Sequence, residues 1–405
     1  MFKIFRVSYF LVVFCVLSVS LIFGSGLNKF DSVRDFLSRL FLFDSLSFYF
    51  LGLVVILGVY SQYYFFSRLD RFTRFFLKIS LFFSCLSFVI NHAILFWFFY
   101  ELSMLPLLFL IFKRSPYSER FLAGWYFSCY LIVTRLPLVL ILYYIGFVKD
   151  TFLFNGWVVG DDEVVLLVIL SFIFFTKVPL VPFHTWLPIV HAEATSIVSI
   201  FLRGYIMKLG ILGVYRCCKC IFDNRFMFYL LLCLVACVMF LVTACSELDG
   251  KRWLAFLSLS HIVIPFLGFF VCDWRLINYS FFYCLGHGLS AGMVFGLLWY
   301  LYDTCSSRKW ILIKSAVGSK AVISYTLLSL LSLCSFPPTI QFFCEVGIVF
   351  CCNKLILVIF WLIYLFLGGL VPLVLIGHCF VRCELTENGD GSYTIFFNFL
   401  FFLCF

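Results

Sequence analysis

Apolar runs of about twenty residues recur along this chain of 405 residues, and they constrain its fold more than any other feature. Hydrophobic residues make up 64% of the sequence and charged residues only 12%, which leaves too few polar side chains to cover a water-soluble globule. A helix of about 20 residues crosses a bilayer and satisfies its own backbone hydrogen bonds. The sequence therefore predicts an all-α polytopic membrane protein.

Twelve spans and a short apolar tail at 393–405 are predicted from these runs. The spans lie near 7–23, 41–60, 75–90, 92–112, 121–148, 163–185, 196–215, 226–245, 253–271, 276–301, 321–349 and 355–378. The first has the basic start and apolar run of a signal peptide but no clean cleavage site, so it is interpreted as a helix. We expect about 12–14 transmembrane helices in one domain, 1–405, with a core near 44–349 and C-terminal helices near 355–405.

The placement of charged residues and cysteines argues against nucleic-acid binding and against a zinc site. The formal net charge of +9 lies mostly in short connecting segments, where it is expected to orient the loops. These segments include Lys113-Arg114, Arg216 to Lys219, Lys251-Arg252 and Arg308-Lys309. No basic cluster is interleaved with aromatic residues on a soluble face, so nucleic-acid binding is the less favoured interpretation. The 19 cysteines are scattered through apolar runs, and Cys217–Cys220 lacks the second ligand pair of a zinc site.

Six ionisable side chains lie inside predicted spans: Glu101, Lys177, Lys208, His261, His287 and Glu345. A charge near the centre of a bilayer costs at least ~2.5–3.5 kcal/mol, so such groups must face a protein interior or a wet path. Lys177 and Lys208 lie too deep in their spans to reach an interface easily. A lysine held near a carboxylate such as Glu101 can load and release a proton.

The two histidines lie on successive spans, and two interpretations stay open for them. A histidine in an apolar helix is commonly a hydrogen-bonded packing residue. Imidazole can also pass a proton between its two nitrogens, and His261 and His287 accompany buried lysines. The pair is therefore a candidate relay.

Prolines interrupt two spans beside these ionisable residues. Pro179 and Pro182 follow Lys177, and the pair Pro337-Pro338 precedes Glu345. Each proline removes a helix hydrogen bond within an apolar run. They can simply kink packed helices, or they can break them as transporters do around midplane ion sites. Two such cases, each beside an ionisable group, favour broken helices.

Several motifs together resemble the antiporter-like membrane subunits of respiratory complex I, the NADH:ubiquinone oxidoreductase, and among them subunit 4. They are FFYELSMLPL, ERFLAGWYF, TKVPLVPFHTWLPIVHAEATS, RGYIMKLGILGVYR, ELDGKRWLAFLSLSH, YCLGHGLSAGMVFGLLWYLYD and FPPTIQFFCEVG. The resemblance runs from about Asp44 to Glu345. The related subunits 2 and 5 generally have lysine at the last of these positions, so Glu345 favours subunit 4.

The resemblance implies a role for each buried group. Lys177 is the expected lysine of the first broken helix, with Glu101 as its partner on a neighbouring helix. Lys208, His261 and His287 are expected to form a central hydrophilic axis. Glu345 is the expected terminal carboxylate. The family also implies two inverted five-helix units and proton pumping coupled to NADH oxidation by ubiquinone.

The resemblance also implies where the rest of the enzyme lies. NADH, FMN, iron–sulfur clusters and ubiquinone are expected on other subunits, and no cofactor is expected in this chain. The expected partners are other membrane subunits of complex I, especially the antiporter-like subunits 2 and 5, within the mitochondrial inner membrane. The 58 phenylalanines and the residues with T- and G-rich codons also favour an organellar genome. The alternative is a free-standing cation/proton antiporter; an inert scaffold leaves the buried charges unexplained.

Three residues depart from the family pattern. Thr195 stands where relatives usually have proline, so the turn at this residue is expected to be less rigid. Arg135 and Arg203 lie within spans where small or neutral residues are usual. Arg203 precedes Lys208 by five residues, too far round an α-helix to face it. It is expected instead to pair with a neighbouring subunit or to reach an interface, and a coupling role is the alternative. The N-terminus is predicted to be one helix shorter than in many relatives.

Overall fold

A computed structural model describes residues 40–42, 44–64, 69–157, 164–218, 221–222, 226–273, 276–318, 320–381 and 404. The predicted span 7–23, the polar segments 24–39 and 382–392, Lys219 and Cys220 lie outside these ranges, as does nearly all of the tail at 393–405.

Thirteen helices of eight or more residues make up the described part of the chain. They are α1 Ser45–Tyr64, α2 Arg71–Val89, α3 Ala93–Arg114, α4 Arg120–Val148, α5 Val164–Lys177, α6 Trp186–Glu193, α7 Ser196–Cys217, α8 Phe226–Ser246, α9 Gly250–Val271, α10 Asn278–Cys305, α11 Lys320–Leu333, α12 Ile340–Phe350 and α13 Leu355–Phe380. Eight of them are long and apolar enough to cross a membrane, and α5, α11 and α12 are shorter apolar helices. The all-α polytopic fold is thus confirmed.

Local signals explain where individual helices begin and end. The His92 ring accepts a hydrogen bond from the amide of Leu95 at the start of α3. The Asp249 carboxylate accepts one from the Lys251 amide at the start of α9. Lys113 and Arg114 end α3, where their charge complements the helix dipole.

Two helix pairs are interrupted beside proline. The break between α5 and α6 contains Pro179 and Pro182, and the break between α11 and α12 contains Pro337-Pro338. The sequence predicted both interruptions but ended the first span near 185. The helical segment α6 was therefore missed; it is only eight residues long and has Pro188 in its first turn, where a helix tolerates proline.

Helix α7 occupies the centre of the bundle. The most apolar 18-residue stretch of this helix is completely buried inside the protein. The helix packs against α1, α3, α5 and α10. Residues Leu202–Ile206 form a π-helical turn within it, in which hydrogen bonds run from residue i to i+5. The helices that carry Glu101 and Lys177, α3 and α5, therefore both contact this one.

Helix α10 approaches α1 closely along a row of glycines. Gly288, Gly292 and Gly296 are spaced by four residues and share one helix face. A Cβ atom at Gly288 would lie 2.8 Å from the Leu53 side chain, and one at Gly292 would lie 2.9 Å from Leu57. A Cβ at Gly296 would collide with the Tyr60 hydroxyl. Small residues of this kind allow backbones to pack closely in membranes.

The outward faces of several helices are apolar. Large exposed side chains include Val133 on α4, Phe228 on α8 and Leu362 on α13. Contiguous apolar surface of this extent is typical of a lipid-facing or subunit-facing exterior.

Arg216 corrects one expectation about the connecting segments. It was predicted to be a loop charge, but its side chain is buried at the end of α7. Its Nη1 donates to the Ile90 carbonyl at 2.7 Å, while Nη2 donates to Ser47 Oγ at 2.8 Å and to the Phe88 carbonyl at 3.0 Å. The guanidinium thus joins α1, α2 and α7, and these acceptors explain why it turns inward.

Arg216→Ala is expected to lower the amount of folded protein in the membrane. The substitution removes three hydrogen bonds to buried acceptors. The Phe88 carbonyl keeps a bond from Ser47 Oγ, but the Ile90 carbonyl loses its donor, and such a loss costs about 1–3 kcal/mol. Thermal stability and steady-state level in native membranes are the measurements. Lys320→Ala, at an exposed position, is the control and should match the parent. Equal stability of both variants would contradict this assignment.

Candidate functional site

Glu101 lies between two cations in the first half of the bundle. Its Oε1 is 3.7 Å from Lys177 Nζ. Its Oε2 accepts hydrogen bonds from Nε and Nη2 of Arg135 at 3.2 and 3.0 Å. The sequence predicted the proximity of Glu101 and Lys177 but not the third member.

The three side chains differ in exposure. Glu101 and Lys177 are buried, whereas the Arg135 side chain is 38% exposed and comes from α4. Lys177 is the last residue of α5, so the break that follows lies next to its ammonium group. Nearby, the Tyr100 ring centroid is 5.6 Å from Lys177 Nζ. The Glu101 carboxylate is therefore shared by two cations, the Lys177 amine and the Arg135 guanidinium.

A second cluster centres on Lys208. Its Nζ donates to the Arg203 carbonyl at 2.9 Å. The Nδ1 atoms of His261 and His287 are 3.3 Å apart, and the charges of Lys208 and Arg203 act on both rings. All four side chains are buried. The structure therefore brings together the three residues predicted for the central axis and adds Arg203.

The position of Arg203 contradicts the expectation from the sequence. It is fully buried in α7 and neither reaches an interface nor lies on an outer face. The expectation assumed 3.6 residues per turn, but the π-helical turn at Leu202–Ile206 changes the angular spacing. Residues five apart, such as Arg203 and Lys208, are brought onto the same side by this geometry.

Two phenols connect the histidine pair with Glu345. The hydroxyls of Tyr283 and Tyr364 share a hydrogen bond of 3.2 Å, and both interact with the Glu345 carboxyl. The Tyr283 ring stacks on His287 at a centroid distance of 6.3 Å. Ser335, in the second helix break, donates from Oγ to Glu345 Oε1 at 2.8 Å. The phenols were missed because tyrosine in an apolar run gives no signal of its own.

A third cluster lies at one end of the bundle, where α3, α6 and α10 end and α9 begins. Arg308 donates from Nη2 to Glu193 Oε1 at 3.1 Å, and its Nε is 3.0 Å from Asp249 Oδ2. Lys251 Nζ donates to the Tyr117 hydroxyl at 3.1 Å and to the carbonyl of the residue after Glu193 at 2.8 Å. An open pocket of about 640 Å³ lies over this cluster, lined in part by Tyr117, Asp249 and Arg308.

Lys251 and Arg308 were expected to be solvated loop charges. Lys251 is instead buried, and the side chain of Arg308 is only partly exposed. Burial alone would lower the pKa of Arg308, but the carboxylates of Asp249 and Glu193 raise it above its ordinary value. For the Tyr117 phenol, burial acts in the opposite direction and raises the pKa. Arg308 therefore stays charged and Tyr117 stays protonated at any physiological pH.

His191 on α6 lies between this surface cluster and the central axis. Its ring is buried, and neither ring nitrogen has a hydrogen-bond partner in the described part of the chain. Its ring centroid is 5.5 Å from that of Phe295, over which the Arg203 guanidinium also lies at 5.7 Å. The charges of Arg203 and Lys251 both act on it. His191 lies in one of the motifs that carry the resemblance, but no role was predicted for it from the sequence.

A family profile described as NADH:quinone oxidoreductase/Mrp antiporter, transmembrane, matches residues 91–371. The chain belongs to this family. The match covers both helix breaks and all six ionisable residues that the sequence singled out.

Two curated relatives carry the same name. The chain is 30% identical over 260 residues to NADH-ubiquinone oxidoreductase chain 4 of Locusta migratoria, an alignment covering 63% of this chain and 58% of the relative. It is 30% identical over 267 residues to the protein of the same name from Acanthamoeba castellanii, covering 64% and 54% respectively. The chain thus spans little more than half the length of these relatives.

Solved structures share the fold. A chain of respiratory complex I from Thermus thermophilus matches with a TM-score of 0.80 at 19% identity, covering 90% of this chain and 80% of that one. A chain of the Mrp complex from Dietzia sp. DQ12-45-1b matches with a TM-score of 0.74 at 16% identity, covering 95% and 79%. The antiporter-like fold implied by the sequence motifs is confirmed.

Arg308→Gln is expected to destabilise the surface cluster by about 2–3 kcal/mol, because it leaves the buried Glu193 carboxylate without its cation. The double variant Glu193→Gln with Arg308→Gln should recover part of this loss. Thermal unfolding of the membrane-extracted protein measures the cycle. Lys309→Gln, on the exposed neighbour, is the control. Additive effects of the two substitutions would contradict the coupling.

Proposed function

We propose that this chain is a proton-translocating membrane subunit of respiratory complex I, of the subunit 4 class. The observation that carries the proposal is the line of buried polar groups from Lys208 through His261 and His287 to Glu345. Such groups are costly in a membrane protein and mark ion or proton paths. The names of the curated relatives support the same conclusion.

In the first half, Lys177 is the proposed proton carrier. When its amine is charged, it and Arg135 share the Glu101 carboxylate. When the amine is neutral, Arg135 alone balances Glu101, so the carboxylate is never left uncompensated in low dielectric. Lys177 can then take up and release a proton while the buried Glu101 carboxylate always has a cation beside it.

In the second half, the proposed relay passes through the facing histidines. Only one of the two Nδ1 atoms can carry the proton in the contact at 3.3 Å, so one ring donates while the other accepts. Passing a proton along the pair changes the tautomer of both rings. The phenols of Tyr283 and Tyr364 then offer hydroxyl groups towards Glu345, which is the proposed terminal site.

The proposed setting rests on the resemblance of the sequence motifs to complex I membrane subunits. Subunits 2 and 5 are the proposed neighbours, and NADH, FMN, iron–sulfur clusters and ubiquinone are proposed to bind elsewhere in the complex. The mitochondrial inner membrane is the proposed location, because the curated relatives come from eukaryotes. Comigration of the chain with NADH dehydrogenase activity in native gels tests this membership.

A free-standing or Mrp-type cation/proton antiporter is the second candidate, and the likeness to an Mrp complex chain favours it. The two functions differ in their driving force. A complex I subunit moves protons only during NADH oxidation by quinone, whereas an antiporter responds to an imposed Na⁺ or K⁺ gradient. Sealed vesicles containing the assembled complex distinguish them: cation-driven proton movement without NADH would favour the antiporter.

Lys208→Ala is expected to reduce NADH-driven proton pumping and coupled NADH oxidation by at least about tenfold, with assembly retained. The substitution removes the amine at the head of the central axis and leaves its neighbours in place. Proton uptake by sealed vesicles, together with native gel electrophoresis, measures both quantities. Lys113→Ala, on an exposed lysine, should pump normally. Normal pumping in Lys208→Ala would return the histidines to a packing role.

Glu345→Gln is expected to block coupled turnover, because an amide keeps the hydrogen bond from Ser335 but cannot exchange a proton. Glu345→Asp should slow turnover by withdrawing the carboxyl from the two phenols. NADH oxidation and proton uptake are measured in the same vesicles. Glu119→Gln, at an exposed position, is the control. Full coupled activity in Glu345→Gln would leave Glu345 with only a structural role.

A further inference from the structure

Arg203 is a buried cation for which the proposed relay supplies no task. Its side chain is fully buried in the middle of α7, on the π-helical turn. Nη1 donates to the Leu254 carbonyl at 2.8 Å, while Nε and Nη2 have no hydrogen-bond partner in the described part of the chain. No carboxylate of the described residues lies within ion-pair distance of the guanidinium. A charge kept in this position carries a large desolvation cost.

The groups that face Arg203 are nearly all capable of binding a proton. Its own helix contributes Lys208, α6 contributes His191, α9 contributes His261, and α10 contributes His287 and Tyr283. On the remaining sides, α1 presents Leu57 to the turn and α10 presents the Phe295 ring. The guanidinium thus stands among proton-binding groups without a neutralising anion.

A guanidinium holds its proton more tightly than an amine or an imidazole does, so we do not expect Arg203 to exchange protons with its neighbours. It acts on them through its field alone. Each additional proton on Lys208 or on a histidine adds a like charge near Arg203, and that repulsion is strong because the surroundings are buried.

We propose that Arg203 is a positioning residue, a fixed charge that limits how many protons the Lys208–His261–His287 cluster holds at once. The proposal rests on the proton-translocating function proposed above and gives that function a means of release. A proton that arrives at one member of the cluster is driven towards Glu345, because the charge of Arg203 opposes its staying. Arg203 itself neither binds nor passes the proton.

The test is the pH dependence of coupled proton pumping by the assembled complex that carries Arg203→Met. Methionine keeps the length and apolar stem of the side chain, and apolar replacement of a buried charge is commonly tolerated in folding. Removing the fixed charge strengthens proton binding by the cluster. The midpoints of the pH profile of pumping should therefore move to higher pH by about one unit.

Three companion variants separate the effect of the lost charge from the effect of losing a buried side chain. Arg203→Lys keeps a cation and should keep its profile close to that of the parent near neutral pH. Arg203→Gln removes the charge with a polar side chain and should reproduce the shift of Arg203→Met. Arg216→Gln removes the other buried arginine of α7, which bonds to backbone and Ser47, and should lower protein yield without moving the midpoints.

The outcomes are decisive in both directions. Unmoved midpoints in assembled Arg203→Met and Arg203→Gln would overturn the proposal, and failure of both to assemble would assign Arg203 a structural role and overturn it as well. Lys208→Ala is measured in parallel. Normal pumping in Lys208→Ala would refute the relay itself, whereas loss of pumping there with unmoved midpoints in Arg203→Met would refute only the role of Arg203.

Discussion

The need to bury a helix that carries three cations governs this structure. Helix α7 contains Arg203, Lys208 and Arg216, and lipid contact of any of these charges would cost several kcal/mol, at least ~2.5 each. The helix is therefore completely enclosed. Backbone carbonyls of other segments accept from two of these cations, and α7 supplies its own carbonyl for the third. The surrounding segments thus supply backbone carbonyls to this helix, and large apolar side chains lie exposed on the outward faces of several helices.

Charge compensation takes a different form in each cluster. Glu101 is balanced twice, by Lys177 and Arg135, whereas the Lys208 cluster has an excess of cations and no carboxylate until Glu345. At one end of the bundle, Arg308 bridges two carboxylates. The two lysine sites thus differ in compensation, because Lys177 has a carboxylate beside it and Lys208 donates to a backbone carbonyl.

The features that were predicted from the sequence each follow from one large free-energy cost. Apolar length located the spans, proline located the interruptions, and the penalty for charge in lipid identified Lys177, Lys208 and Glu345. It could not predict pairings that depend on tertiary contact, such as Arg135 with Glu101. It misplaced Arg203 because a π-helical turn leaves no periodic signal, and it misplaced Lys251 because a charge near a span end normally faces water.

The glycine row of α10 has a mechanical consequence. With Gly288, Gly292 and Gly296 seated against Leu53, Leu57 and Tyr60, rotation of α10 about its axis would drive backbone or Cα atoms into the side chains of α1. We therefore expect α1 and α10 to move together, with His287, next to the first of these glycines, keeping its position relative to α1. In the proton path proposed for this chain, reorientation is then expected to come from rotation of the imidazole and phenol rings rather than from tilting of this helix.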